Sequence, residues 1–394
     1  MRDSVSFLGE EYGELVKKNL EWRMMNLQGP SLPHPIVNGR KMLMLCSNNY
    51  LNLSNHPKLK EGALRAIEKY GVGPGAVRPI IGNMEIHKEL EGKLANFKGT
   101  EASLVYQSGF TVNSGLIPQL MGKGDIIVSD ELNHGSIIDG VRLSRADRAV
   151  YKHCDAQDLG EVLNEAEKKK YRRVLIITDG VFSMDGDIAP LDEIVKLARE
   201  HGAMTYVDDA HGDGVLGENG KGIVHHFRLE GKVDVEMGTF SKAFGAMGGY
   251  IAGSEDLRNF ALNKSRTFLL TTGLPPALCG ACIAALEVIQ NEPQWLERLW
   301  DNTNYFKKEL NELGFNTGDS ETPITPIILG ESEVTNRFSD QLFREGILGT
   351  PIVFPMVARD KARIRTIMNA GLTREDLDFA LDAFEKIGKA LKVI

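Results

Sequence analysis

Between residues 100 and 253 the chain alternates. Short apolar runs at 104–106, 126–128, 174–177, 204–207 and 233–237 are separated by stretches of helical spacing. Runs that are apolar on both faces need cover on both faces, and a helix after each run supplies it when the strands lie largely parallel. The rhythm therefore predicts an α/β fold, a mostly parallel sheet sandwiched by helices. It also says where to look for chemistry, because open sheets of this kind bind ligands just beyond the carboxyl ends of their strands.

The flanks read differently. Residues 8–28 have Leu8, Tyr12, Leu15 and Val16 on one side, which predicts an amphipathic helix broken by Gly29-Pro30. A short strand is expected at 42–46 and helices at 57–70 and 85–98, the latter carrying Ile86, Leu90, Leu94 and Phe97 and stopping at Gly99. Further helical patterns cover 275–290, 293–313, 333–345 and 373–392, with strand candidates at 325–329 and 363–366. At 394 residues the chain has room for two domains. The expected division is an N-terminal arm over 1–50, a large domain over 51–290 and a smaller α+β domain over 291–394.

Charge and cysteine content narrow the function classes. A net charge of −8 argues against general nucleic-acid binding. No apolar run of about 18 residues suggests a membrane span. The first residues lack a basic segment followed by an apolar one, so a cytoplasmic protein is expected. Four cysteines are too few for a disulfide scaffold. Cys279 and Cys282 match C-x-x-C but lie in an apolar helical pattern, so they read as core. His225-His226 reads as a surface loop or a packed ring, and no metal site is expected.

The site motifs fall at the ends of the apolar runs. Asp208 directly follows 204–207, His211 lies three residues further on, and Lys242 follows in Thr239-Phe240-Ser241-Lys242. A lysine that sheds its proton when desolvated can attack an aldehyde, which Arg cannot do. A carboxylate facing a pyridine nitrogen keeps it protonated, so that the ring acts as an electron sink. The pairing points to pyridoxal 5′-phosphate (PLP) held as a Schiff base. Ser108-Gly109-Phe110 opens a helix after 104–106 and offers N–H groups to a phosphate, with Thr239 as a further hydroxyl. His134, after 126–128, is a candidate to cover the ring, and Ser183 lies after 174–177. Arg363 and Arg365 share one strand face, and Arg suits a substrate carboxylate. The glycines of 71–75 follow a helix and lack the dinucleotide fingerprint.

Taken in order, these segments resemble the α-oxoamine synthases of PLP-dependent fold type I, the aminotransferase-like fold. The resemblance spans roughly 40–370. It rests on Ser47-Asn48-Asn49-Tyr50, Val77-Arg78 with His87-Lys88-Glu89-Leu90-Glu91, Ser108-Gly109-Phe110, Asn133-His134-Gly135-Ser136, Gly180–Gly186, Asp208-Asp209-Ala210-His211-Gly212, Thr239–Lys242, Thr271-Thr272-Gly273 and Arg363-Ile364-Arg365. It implies that Lys242 holds the cofactor and moves the Cα proton, Asp208 pairs with the pyridine nitrogen and His134 stacks on the ring. Ser183 and His211 would contact the phenolic oxygen. Ser108, Gly109, Phe110 and Thr239 would cradle the phosphate, joined by Thr271 or Thr272 from the second subunit of a homodimer. Asn48 and Arg365 would hold the amino-acid carboxylate.

The implied reaction joins an amino acid to an acyl-CoA. The 76–91 stretch is most similar to enzymes that use glycine and acetyl-CoA, the glycine C-acetyltransferases. The alternatives are an 8-amino-7-oxononanoate synthase, which uses alanine and a pimeloyl thioester with decarboxylation, or a broad-specificity synthase. A CoA-independent aminotransferase and a non-catalytic partner subunit stand behind these. Gly371-Leu372 departs from the family pattern after Arg365 and is expected to bear on the acyl pocket. Lys17, Lys18 and Arg23 are candidate cations for CoA.

Overall fold

The computed structural model describes residues 4–18, 20–22 and 24–394. Its centre is a seven-stranded sheet of β1 (Ala102–Tyr106), β2 (Ile126–Asp130), β3 (Asp147–Tyr151), β4 (Val174–Asp179), β5 (Met204–Asp208), β6 (Val235–Thr239) and β7 (Gly249–Gly253). They lie in the order β1-β7-β6-β5-β4-β2-β3. β7 runs antiparallel to both neighbours, so the other six point the same way. Alternate residues feed two cores. Val105, Val128, Ile176 and Val207 enter one; Leu104, Ile127, Leu175 and Tyr206 enter the other. All are buried, as strands covered on both faces must be.

Two strands have no counterpart in the periodicity. β3 reads Asp-Arg-Ala-Val-Tyr and lies at the sheet edge, where only Tyr151 is fully buried. β7 reads Gly-Tyr-Ile-Ala-Gly, and its glycines hide the apolar pattern. Those glycines are needed, since a Cβ on Gly249 would stand 2.5 Å from the Gly109 nitrogen.

The expected helices at 57–70 and 85–98 form as Pro57–Tyr70 and Glu85–Lys98. The C-terminal ones form as Pro276–Asn291, Gln294–Glu312, Ser332–Glu345 and Arg374–Ala390. Pro57–Tyr70 and Pro276–Asn291 meet at Gly62 and Gly280, where a Cβ on Gly62 would reach within 2.5 Å of the Gly280 carbonyl oxygen. Cys279 and Cys282 are buried free thiols in the second of these helices, and burial pushes Cys279 up to about 12.

The first helix is shorter than its periodicity suggested. It spans Ser6–Lys17, with Lys18 as its C-cap, and buries no residue. The strand expected over 42–46 is only Leu43–Met44, paired in parallel with Ile347–Leu348. This ties the arm to the C-terminal layer, where Ile367 N donates to Leu45 O at 2.8 Å and Ala370 N to Tyr50 O at 2.8 Å. That layer holds a small sheet of β8 (Ile324–Gly330), β9 (Thr350–Ile352) and β10 (Ala362–Ile367) in the order β8-β10-β9. β10, which carries Arg363 and Arg365, is its central strand. Phe306, Phe315, Phe338 and Phe384 pack edge-on or tilted beneath it. His225 and His226 end a short helix, and His225 bonds the Lys98 carbonyl through Nε2 at 3.1 Å. Among the described residues, no helix is long and apolar enough to cross a membrane.

Candidate active site

Five of the six parallel strands deliver a residue to one cavity of about 250 Å3. Ser108, Gly109 and Phe110 come from beyond β1, and His134 from beyond β2. Ser183 follows β4, Asp208 and His211 come from β5, and Thr239 and Lys242 from β6. The parallel direction of these strands brings residues more than a hundred positions apart into one wall.

One end suits a phosphate. Ser108 caps the helix Gly109–Leu120, its Oγ accepting from Thr111 N at 3.2 Å. The first N–H groups of that helix have no acceptor within it, and the helix dipole adds positive potential there. A Cβ on Gly109 would sit 2.8 Å from the Met237 methyl and 3.5 Å from the Thr239 Cβ, so the glycine lets this turn lie close against β6. The Thr239 hydroxyl donates to Gly248 O at 2.7 Å and lies 2.8 Å from the Ser241 Oγ. Ser241 is exposed and lines the cavity, so it is a further hydroxyl that the motif reading passed over.

The other end centres on Asp208, which is buried. Asn113 Nδ2 donates to its Oδ2 at 2.7 Å and Ala210 N to its Oδ1 at 3.1 Å. Asn113 is fixed in turn by Tyr206, whose hydroxyl donates to Asn113 Oδ1 at 2.7 Å, and by Ser136 Oγ at 2.9 Å. Beside it, His134 N donates to Asp179 Oδ2 at 2.7 Å. Burial, then the charge of Asp208, pushes the Asp179 carboxyl well above the ordinary carboxylate range.

Both histidines of the cavity are neutral. Burial lowers His134, and its Nδ1 accepts from Ser136 N at 3.2 Å, which assigns the ring proton to Nε2. Burial, then the cations Lys242 and Arg365, holds His211 well below the ordinary value. Tyr50 lies 2.8 Å from His211 Nδ1, and burial raises the Tyr50 phenol so that it stays protonated and donates. His211 Nε2 is then the donor left for the cavity. Burial also lowers the Lys242 amine to about 8, against the pull of Asp208 and Asp179.

The loop that carries Ser183 is clamped by His153. Its Nδ1 lies 3.1 Å from Asp130 at the end of β2, its Nε2 lies 3.2 Å from Asp187, and its ring meets Phe182 edge-on at 4.3 Å. The two carboxylates outweigh burial and raise His153 to about 12. Asp130, His153 and Cys154 are close enough together to hold a metal ion. Both His153 nitrogens are already taken up by carboxylates.

Other expected residues fall elsewhere. Asn48 and Arg365 bond each other, Nη2 to Oδ1 at 3.0 Å, and neither forms part of the 250 Å3 wall. Arg365 is half-buried and its Nε has no partner among the described residues, so it still has a donor to give. Arg363 is committed to Asp185 and, at 3.0 Å, to Met184 O. Thr271 and Thr272 are exposed and outside the cavity, with Gln107 Nε2 donating to Thr272 O at 2.5 Å. Arg78 and Glu91, from the 77–91 motif, form a buried ion pair, and His87 Nε2 lies 2.7 Å from Leu274 O. That motif therefore holds the backbone around 271–276. Gly371 packs against Asn52 and Pro33 and Leu372 is buried, so neither lines the cavity. Lys17 and Lys18 pair with Glu14, and Arg23 lies outside the described residues.

A second cavity of about 390 Å3 shares Ser183 with the first. Its apolar lining includes Leu132, Phe182, Met184, Ile328, Met356 and Val357.

The donor set fits pyridoxal phosphate. It has a desolvated amine, an oriented buried carboxylate, two neutral imidazoles and a helix N-terminus whose glycine leaves room for a phosphate. The comparisons with known proteins agree. The aminotransferase class I and II family matches residues 40–384. The 8-amino-7-oxononanoate synthase of Thermoanaerobacter pseudethanolicus is 55% identical over 390 residues, covering 99% of this chain and 98% of that one. The 8-amino-7-oxononanoate synthase 1 of Bacillus subtilis is 50% identical over 398 residues and 100% of both chains. A solved structure of SPT with its PLP internal aldimine superposes with a TM-score of 0.92 at 28% identity, covering 100% of both chains. The chain belongs to the class I and II aminotransferase family and, within it, to the α-oxoamine synthases, with pyridoxal 5′-phosphate as its cofactor.

Proposed function

We propose that the protein condenses alanine with a pimeloyl thioester, releasing CO2 and CoA to give 8-amino-7-oxononanoate. The observation that carries this reading is the 50–55% identity, over almost the whole chain, to relatives of that name. It replaces the pairing of glycine with acetyl-CoA that the 76–91 stretch suggested. The cavity beside Ser183 supports it, because its apolar side chains, interspersed with Asp185, Asp187, Asp319, Lys361 and Arg363, give a seven-carbon chain more contact than an acetyl group would use.

When bound, the cofactor draws electrons away from the amino-acid Cα and so makes its proton acidic. The chain's residues do the rest. Lys242 Nζ would hold the cofactor through its aldehyde carbon and, freed when the amino acid takes its place, would take the Cα proton. Asp208, kept in place by Asn113, holds the proton on the pyridine nitrogen. His134 would cover the ring, while His211 Nε2 and Ser183 would donate to the phenolic oxygen. The N–H groups after Ser108, with Thr239 and Ser241, hold the phosphate. Arg365 and Asn48 take the substrate carboxylate. Cα would then bond to the thioester carbonyl carbon as the C–S bond breaks, and the CoA thiolate leaves and takes up a proton. The Cα–carboxylate bond would break to release CO2, and Cα would regain a proton from the Lys242 ammonium. The site is completed in a homodimer, with Thr271 or Thr272 of the second copy reaching the phosphate.

The test is a matrix of alanine and glycine against pimeloyl-CoA and acetyl-CoA, following free thiol and CO2. Alanine with pimeloyl-CoA is expected to give the highest kcat/KM. Faster turnover of glycine with acetyl-CoA, without CO2, would restore the other reading.

A further inference from the structure

Directly behind the cavity lies a buried charge cluster that the mechanism above does not use. Lys98, the last residue of its helix, has a fully buried ammonium. It stands 2.9 Å from Asp213, 3.4 Å from Asp209 and 3.2 Å from Glu236, and donates to Lys221 O at 2.7 Å. Tyr250 donates its hydroxyl to Asp213. These side chains come from a helix end, the loop after β5, strand β6 and strand β7.

The cluster touches both arms of the site. Asp209 lies next to Asp208, and Asp213 lies two residues beyond His211. Asp209 N donates to Met237 O at 2.7 Å, and Asp209 Oδ2 accepts from Ile223 N at 2.9 Å. On the other side, Gly238 precedes Thr239, and any Cβ there would overlap the Asp213 carboxylate and the Tyr250 ring. The Asp213–Tyr250 pair therefore lies flat against the backbone that leads to Lys242.

We propose that Lys98, Asp209, Asp213, Glu236 and Tyr250 form a positioning cluster that sets the Asp208–His211 arm against the Thr239–Lys242 arm. The proposal rests on the assignment of Lys242 and Asp208 to the cofactor. Three carboxyls around one ammonium do not form a simple ion pair. Burial alone would strip Lys98 of its proton, but Asp213 foremost, with Tyr250, Glu236 and Asp209, holds it well above the ordinary lysine value. Burial pushes Asp209 and Glu236 up towards their neutral forms. Removing one partner from such a set leaves a buried charge without its counterpart, and the backbone that carries it shifts. The charge also reaches the reacting nitrogen, since Asp213 is one of the groups that raise Lys242.

The experiment uses the holoenzyme. Tyr250→Phe removes one hydroxyl and keeps the packed ring, so it spares the fold. It is expected to lower kcat about tenfold while each KM stays within about twofold, as misplacement of a reacting group would. Asp213→Asn removes a negative charge, so the pH midpoint of the bound cofactor's visible absorbance is expected to fall. Lys98→Arg should restore both readouts towards wild type where Lys98→Met does not. An unchanged kcat in Tyr250→Phe, together with an unmoved absorbance midpoint in folded Asp213→Asn, would overturn the proposal. Borohydride trapping that fails to label Lys242 even in wild type would instead overturn the site assignment on which it rests.

Discussion

Lys242 is a lysine whose surroundings have changed what it can do at ordinary pH. Its amine is lowered from 10.5 to about 8, so it becomes uncharged and nucleophilic as pH rises through that value. Attachment of the cofactor to the apoprotein is expected to quicken with pH and to level off just above pH 8. A rate that kept climbing towards 10.5 would mean that the amine is solvated. Asn113 makes the complementary case. Asn113→Leu takes the Nδ2 donor from Asp208 and leaves Tyr206 without its acceptor, a loss of about 1–3 kcal/mol for each buried group left unpaired. Weaker cofactor retention on dialysis and a lower melting temperature are expected together. The convergence of Lys242, Asp208, His211 and His134 was legible in the sequence because each follows an apolar run within a few residues. Asn113 and His153 were not, because their partners lie far away in the chain. Only the sheet brings Asn113 to Asp208, or His153 between Asp130 and Asp187.

At the scale of elements, legibility followed hydrophobic contrast. β4 and β5 stand out because both of their faces are largely apolar up to the terminal Asp179 and Asp208. β7 does not, because its ends are glycine: a Cβ on Gly249 would meet the Ser108-Gly109 turn after β1, and one on Gly253 would meet the Asp234 carbonyl just before β6. The same demand governs the crossing of Pro57–Tyr70 with Pro276–Asn291. Gly62 and Gly280 bring the two backbones into contact, and a side chain on either has nowhere to go. Gly280→Leu is expected to cost about 1–3 kcal/mol or more through overpacking, read as a fall in melting temperature. Solvent-facing Glu287 on the same helix should tolerate Ala with little change. Equal melting temperatures for Gly280→Leu and wild type would show that the helices do not pack this closely.

The whole molecule leaves one part of the proposed site unfilled. Thr271 and Thr272 stand outside the cavity of their own chain, on a surface where Leu270, Ile80 and Ile81 are 69%, 77% and 80% exposed. Val77 bridges to Thr272, so these residues share one neighbourhood. Large apolar side chains grouped on a surface mark a contact, and two-fold assembly would bring this surface of each copy to the other. If those threonines serve the partner's phosphate, Lys242→Ala and the double variant Thr271→Ala/Thr272→Ala are defective in different halves of a shared site. Mixed and reassembled, half of the dimers would be heterodimers, each with one intact site and one doubly defective site. Activity of about one quarter of wild type is then expected from two nearly inactive parents. Sites built from a single chain would show only the average of the two parents. Active monomers at low protein concentration would likewise exclude the shared site, whichever acyl chain the enzyme prefers.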